Sequence, residues 1–221
     1  MLDFSDAAGA IRLSLHLPSL AERVAARIEE LILDGQIRPG ARIIEESLSR
    51  DLGISRASLR EALFALESAG LIAREGRGGR VIRTLTHEDI VELYELWTIL
   101  ETEGAVMACQ SSSPADHARI AGIITSMDTA ADRTAYHRLN LEFHRAMMAP
   151  CRNRRLVEAY DFCLKQVRWA WALAIAKAGD PAASQREHRA IAEAYVARDA
   201  DRLRPLVHDH LSAGAVRAGG F

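Results

Sequence analysis

Asn140 and His144 stand four residues apart, so a helix through them sets both on one face with Tyr136, Phe143 and Met147. His188 recurs at helical spacing with Ile191, Ala192 and Tyr195, and His210 with Leu203, Leu206, Val207 and Gly214. One histidine on an apolar face is most simply a satisfied core residue. Three of them on three helices, with an amide one turn from the first, make a feasible bundle-core site for a divalent transition metal, since neutral imidazole is the commonest ligand of such ions. His16, His87, His117, His137 and His208 lack that setting and read as surface or cap residues.

A second chemistry lies near the N-terminus. Ser55 is a good helix N-cap, and Arg56 and Arg60 lie four apart opposite a Leu59, Leu63, Leu66 stripe. A helix held by those leucines can present Ser55, Arg56, Ala57 and Arg60 to base edges in a major groove. Arg74, Arg77, Arg80 and Arg83 surround Gly76, Gly78 and Gly79, as suits a ribbon laid against phosphates. From Arg50 to Arg83 these seven arginines face only Asp51, Glu61, Glu67 and Glu75, so the stretch is basic within a chain of net charge -2. A solvated helix face explains any single arginine; the ordered set predicts binding to double-stranded DNA, with Ser55, Arg56, Ala57, Arg60, Arg50, Arg77, Gly78 and Gly79 as contacts.

The elements that must hold these residues change grammar at about Arg83. Residues 1–18 read as a tail. Residues 19–83 read as helix, short strand at 42–44, short helix, turn at Gly53, capped helix and a two-stranded ribbon, the order of a winged helix-turn-helix. Residues 84–86 form a linker, in which Thr86 can cap the next helix. From 87 to 219 every strong signal is helical, with helices expected near 87–109, 115–130, 132–149, 153–177, 182–198 and 200–216. The fold class is therefore mainly α: a winged helix-turn-helix followed by an all-helical bundle of about six helices.

Composition narrows the setting. At 221 residues there is room for two small domains, and 49% hydrophobic with 26% charged residues is ordinary for a globular chain. Cys109, Cys151 and Cys163 form no CxxC pair, so reduced thiols in a cytoplasmic protein are expected. No stretch is long and apolar enough for a membrane span, and Met1 to Leu17 lacks an export signal.

The DNA-binding half closely resembles the N-terminal domain of GntR-family regulators. The resemblance is carried by Asp34-Gly35, Ile37, Pro39-Gly40, Glu45, Leu48, Leu52-Gly53-Ile54-Ser55-Arg56, Leu59-Arg60-Glu61-Ala62-Leu63, Leu66 and Gly70-Leu71-Ile72. Two departures bear on the operator: Ala57-Ser58 stands where Thr-Pro is usual, and Glu46 stands where fatty-acid-responsive members carry a basic residue. The second half is similar to the FCD effector domain of the FadR-type branch, in its shorter VanR-like form. Asn140-x-x-Phe143-His144, Asn153-x-x-Leu156, Glu187-His188 and His210-Leu211 carry this likeness.

The resemblance implies one zinc, nickel or similar ion per chain on Asn140, His144, His188 and His210, and a small carboxylate effector completing its shell. Asn140, whose neutral amide oxygen is the weaker donor, replaces the commoner aspartate. Trp97 stands where an effector-binding arginine is frequent, which makes Trp97, Glu101 and, as a substitute cation, Arg168 the expected effector contacts. The expected protein is a homodimeric transcription regulator, a repressor by default, on an inverted-repeat operator. Two alternatives stay open. A metal-dependent enzyme could use the same Asn/His set, although its candidate bases, Glu101 and Glu142, sit in no motif. An architectural DNA-binding protein would ignore metabolites altogether.

Overall fold

The computed structural model describes residues 18–76, 79–174 and 181–219. The expected N-terminal tail, Arg77, Gly78, and the end of the fourth effector-half helix with its following break lie outside the described residues. The chain divides into two compact units between Thr84 and Leu85.

In the first unit, α1 (Leu20–Leu33) opens on a capping box: the Ser19 hydroxyl accepts from the Glu22 amide, and the Glu22 carboxylate accepts from the Ser19 amide. β1 (Arg42–Ile43) leads into α2 (Glu45–Asp51) and α3 (Arg56–Ser68), and β2 (Ile72–Glu75) and β3 (Gly79–Ile82) follow. Ile32, Leu59, Leu63 and Leu66 are buried where α1 packs on α3. Each such side chain contributes about 1.5–3 kcal/mol on burial. The expected two-stranded ribbon is a three-stranded antiparallel sheet of order β1-β3-β2, because Arg42 and Ile43 pair with Val81 and Arg80. That pairing is long-range, and a two-residue strand gives too little periodicity to announce it.

The second unit consists of α4 (His87–Ser111), α5 (Pro114–Asp128), α6 (Arg133–Met148), α7 (Arg154–Ala174), α8 (Pro181–Val196) and α9 (Ala200–Gly219). Thr86 and Ser113 make capping boxes for α4 and α5, and Asp132, Asn153 and Asp199 accept amide bonds at the starts of α6, α7 and α9. The helix starts are thus set by local chemistry. The long α4 packs against α9, α7 and α6, while α5 packs against α6 and α8. The core contains Trp97, Phe143, Met147, Tyr160, Leu164, Ile191, Tyr195, Leu203 and Val207. Two polar ties hold α8 in register: the Tyr195 hydroxyl donates to the Met147 carbonyl at 2.8 Å, and the Gln185 amide donates to the Ile124 carbonyl at 3.1 Å. The three cysteines are buried free thiols. Among the described residues, no helix is long and apolar enough to cross a membrane.

Candidate DNA-binding face and metal centre

Between α2 and α3 the chain turns at Gly53, whose φ of 63° is a left-handed conformation that side chains with a Cβ rarely adopt. Ser55 then caps α3, its hydroxyl accepting from the Ser58 amide at 3.1 Å. Leu59, Ala62, Leu63 and Leu66 face the core, which leaves Ser55, Arg56, Ala57 and Arg60 on the exposed side. Arg50 is exposed near the end of α2. Gly79 opens β3, where a Cβ would come within 2.9 Å of the Glu75 carbonyl oxygen, so the hairpin needs glycine there.

The arginines are not evenly presented. Arg56 pairs with Glu46 at 3.0 Å, and Arg60 donates to Glu45 at 2.7 Å. Arg80, its side chain only 14% exposed, is clasped between Glu45 and Glu67, and Arg74 donates to Glu67 at 2.6 Å. Arg74 and Arg80, expected along the wing, are thus both engaged in ion pairs within this unit. The two lie directly opposite each other across β2 and β3, where like charges repel, and Glu67 bridges them. The Arg60 hydrogen bond, with the charges of Arg60 and Arg80, holds the Glu45 carboxyl below the usual range; Arg74 does the same to Glu67. Glu45 and Glu67 were invisible as partners in the sequence, since their arginines stand up to 35 residues away.

In the second unit, His144 of α6, His188 of α8 and His210 of α9 converge. All three are buried, and each offers a ligand atom within 4.8 Å of the others. Their ring centroids are 4.4 to 5.6 Å apart. Each Nδ1 faces an outer partner: Glu101 for His144, Tyr136 at 3.4 Å for His188, and Glu187 at 2.7 Å for His210. A carboxylate at Nδ1, as at His144 and His210, favours the ring proton there and the Nε2 lone pair toward the interior, the arrangement that orients metal-binding histidines. The Tyr136 hydroxyl can donate to or accept from His188. Burial above all holds His210 below its ordinary pKa, the opposing pull of Glu187 notwithstanding, which favours the neutral ring a metal requires.

Asn140, one turn before His144, is also buried, and its Oδ1 accepts no hydrogen bond. A buried amide oxygen without a donor is costly unless something else coordinates it. The three imidazoles fit a divalent ion of the zinc or nickel type, and the Asn140 oxygen lies one helical turn before His144.

Trp97 and Glu101, expected from the resemblance as effector contacts, sit one turn apart on α4 and face His144. They are bonded to each other and to His144. The Trp97 indole N–H donates to Glu101 Oε2 at 2.6 Å, Glu101 Oε1 takes His144 Nδ1, and the indole packs edge-on against the imidazole with centroids 5.1 Å apart. Behind them on α7, burial and the charge of Glu101 push the Cys163 thiol up to about 12 and the Tyr160 phenol well above its usual value. Arg168 is half-buried one position past Val167, at the edge of the α7 core stripe. Glu142, the other base of the enzyme alternative, is exposed and pairs with Arg119 at 3.6 Å.

These two sites coincide with two domain families. The family described as bacterial regulatory proteins of the gntR family matches residues 20–82, and the FCD domain matches residues 92–213. The chain belongs to the GntR family. It is a GntR-family DNA-binding transcription regulator with an FCD effector domain, and not an enzyme. This GntR protein is 26% identical over 192 residues to the HTH-type transcriptional regulator YdhC of Bacillus subtilis, covering 84% of this chain and 85% of that one. It is 30% identical over 135 residues to the Nta operon transcriptional regulator of Aminobacter aminovorans, covering 60% of this chain and 64% of that one. The crystal structure of a GntR transcriptional regulator from Rhodococcus sp. RHA1 shares its fold, with a TM-score of 0.77 at 24% identity, covering 92% of this chain and 99% of that one.

Proposed function

We propose that the protein is a homodimeric, metal-dependent repressor that binds an inverted-repeat operator and releases it when a small carboxylate enters the effector domain. The observation that carries this reading is the buried trio His144, His188 and His210, with ligand atoms within 4.8 Å of one another and an outer partner at every Nδ1. With Asn140, these side chains would hold one divalent transition ion, zinc or nickel, whose open coordination positions would accept a carboxylate oxygen. The histidines bind as neutral rings, and Glu101, Tyr136 and Glu187 keep them aimed. Trp97 at the rim of this cluster favours an effector with an apolar or aromatic body, and Arg168 is the candidate cation for its acidic end.

On the DNA side, Arg56 and Arg60 would exchange their carboxylate partners for base edges and phosphates, joined by Ser55, Ala57, Arg50, Arg77, Gly78 and Gly79. A twofold operator needs a second copy of the chain, and α4 offers a face for it. Leu96, Ile99 and Met107 share one side of that helix and are 45%, 64% and 46% exposed. An effector can move the operator equilibrium only by its difference in affinity for the two dimer arrangements. Such a protein acts where its operator is, in the cytoplasm.

The test is metal content per chain on gently purified protein beside a His144→Ala, His210→Ala variant. About one ion per wild-type chain, absent from the variant, is the expected result. No metal in the wild type after reconstitution overturns the metal reading.

A further inference from the structure

We infer that Glu101 is the positioning residue that fixes the proton of His144 on Nδ1, and that Trp97 enforces this by claiming the other oxygen of the same carboxylate. The inference rests on the metal reading above. Glu101 and His144 are each 0% exposed, so no solvent can substitute for either partner. An indole N–H only donates, and Trp97 Nε1 lies 2.6 Å from Glu101 Oε2. An imidazole, by contrast, can donate or accept at Nδ1, and its choice decides whether Nε2 carries a lone pair or a proton. A carboxylate presents an acceptor on both sides at once. It satisfies the indole and compels His144 to donate from Nδ1.

A glutamine at position 101 cannot do both. With its carbonyl turned to Trp97, its NH2 faces Nδ1, which must then accept, and the ring proton moves to Nε2, where a metal needs the lone pair. With its carbonyl turned to His144, its NH2 meets the indole N–H, donor against donor in a buried site. The pair Trp97–Glu101 thus acts as a lock on one tautomer. It also bears on the neutral Asn140. Three imidazoles and an amide bring no negative charge to a divalent ion. Glu101 behind His144 and Glu187 behind His210 supply it through the rings, raising the basicity of both nitrogens.

The experiment compares full-length wild type, Glu101→Gln, Trp97→Phe and the Trp97→Phe, Glu101→Gln double variant. Co2+ absorption and chelator-competed Zn2+ titration give affinity, and long-range 1H–15N spectra of the metal-free proteins give the His144 tautomer. In the wild type the proton is expected on Nδ1; a proton on Nε2 overturns the inference with no variant needed. Glu101→Gln is expected to move it to Nε2 and weaken metal binding about 10–100-fold. Trp97→Phe keeps the Nδ1 proton. In the double variant, freed of the indole, the glutamine carbonyl turns to His144, returning the proton to Nδ1 and recovering part of the affinity. A role in packing alone predicts the reverse, since the double variant removes more contacts. A double variant that binds no tighter than Glu101→Gln, or a Glu101→Gln protein with wild-type affinity, refutes the lock. If the wild type binds neither ion, the metal reading fails, and the tautomer of the metal-free ring reports on Glu101 separately.

Discussion

Arg60 on α3 donates to Glu45 on the preceding helix at 2.7 Å, while the other oxygen of Glu45 takes Arg80 from the third strand. One carboxylate therefore ties α3 to β3. On the function proposed above, an operator that contacts Arg60 would have to compete with Glu45 for it.

The Glu45 carboxyl is expected to titrate below its ordinary value of 4.5, because Arg60 hydrogen-bonds the charged form. A folded-state pKa below the unfolded one contributes stability that is present above the unfolded value and lost as pH falls through the folded one. Side-chain 13C titration of the DNA-binding unit checks this; a midpoint at or above 4.5 contradicts the pairing.

Arg56→Ala and Arg60→Ala should each weaken operator binding. A lost bidentate base contact relaxes discrimination at one base pair by about 1–3 kcal/mol, whereas a lost phosphate contact lowers the slope of log K against log salt by about 0.9. Fluorescence anisotropy on matched and mutated operators at several salt concentrations separates the two. Intact affinity in both variants would remove α3 from the operator.

Removing metal should lower the melting temperature of the effector domain. An ion bound only by the folded state stabilises it by about 2.7 kcal/mol at one hundred times its Kd. Calorimetry with and without chelator should show the loss in the wild type and none in the His144→Ala, His210→Ala variant. Equal responses would mean that the chelator acts elsewhere.

Ile99→Glu places a charge in the middle of the exposed stripe formed with Leu96 and Met107. If α4 forms the dimer interface, sedimentation equilibrium will show the variant as a monomer and its operator affinity will fall. An unchanged dimer moves the interface to another face.

Gly104 lets α4 approach α6 and α7 closely: a Cβ there would lie 2.8 Å from Leu156 and still nearer to Met148. Gly104→Ala is expected to destabilise the effector domain by about 1–3 kcal/mol through overpacking. Denaturant melts measure it, and a gain in stability would show that Met148 moves aside freely.

The likeness that identified both domains was legible in residues close in sequence. Thr86, Asp132 and Asn153 announce helices because a cap acts on amides two or three residues away, and Asn140, His144, His188 and His210 announce themselves by helical period. What the sequence alone determined was which faces carry which chemistry. Which groups meet was decided only by tertiary packing. The two-residue strand β1, the clasp of Arg80 by Glu45 and Glu67, and the bond of Glu101 to His144 all join residues 13 to 43 positions apart. No local rule encodes such pairs, because a buried carboxylate takes whichever donors the packed helices bring within reach, and that choice exists only once the core has closed.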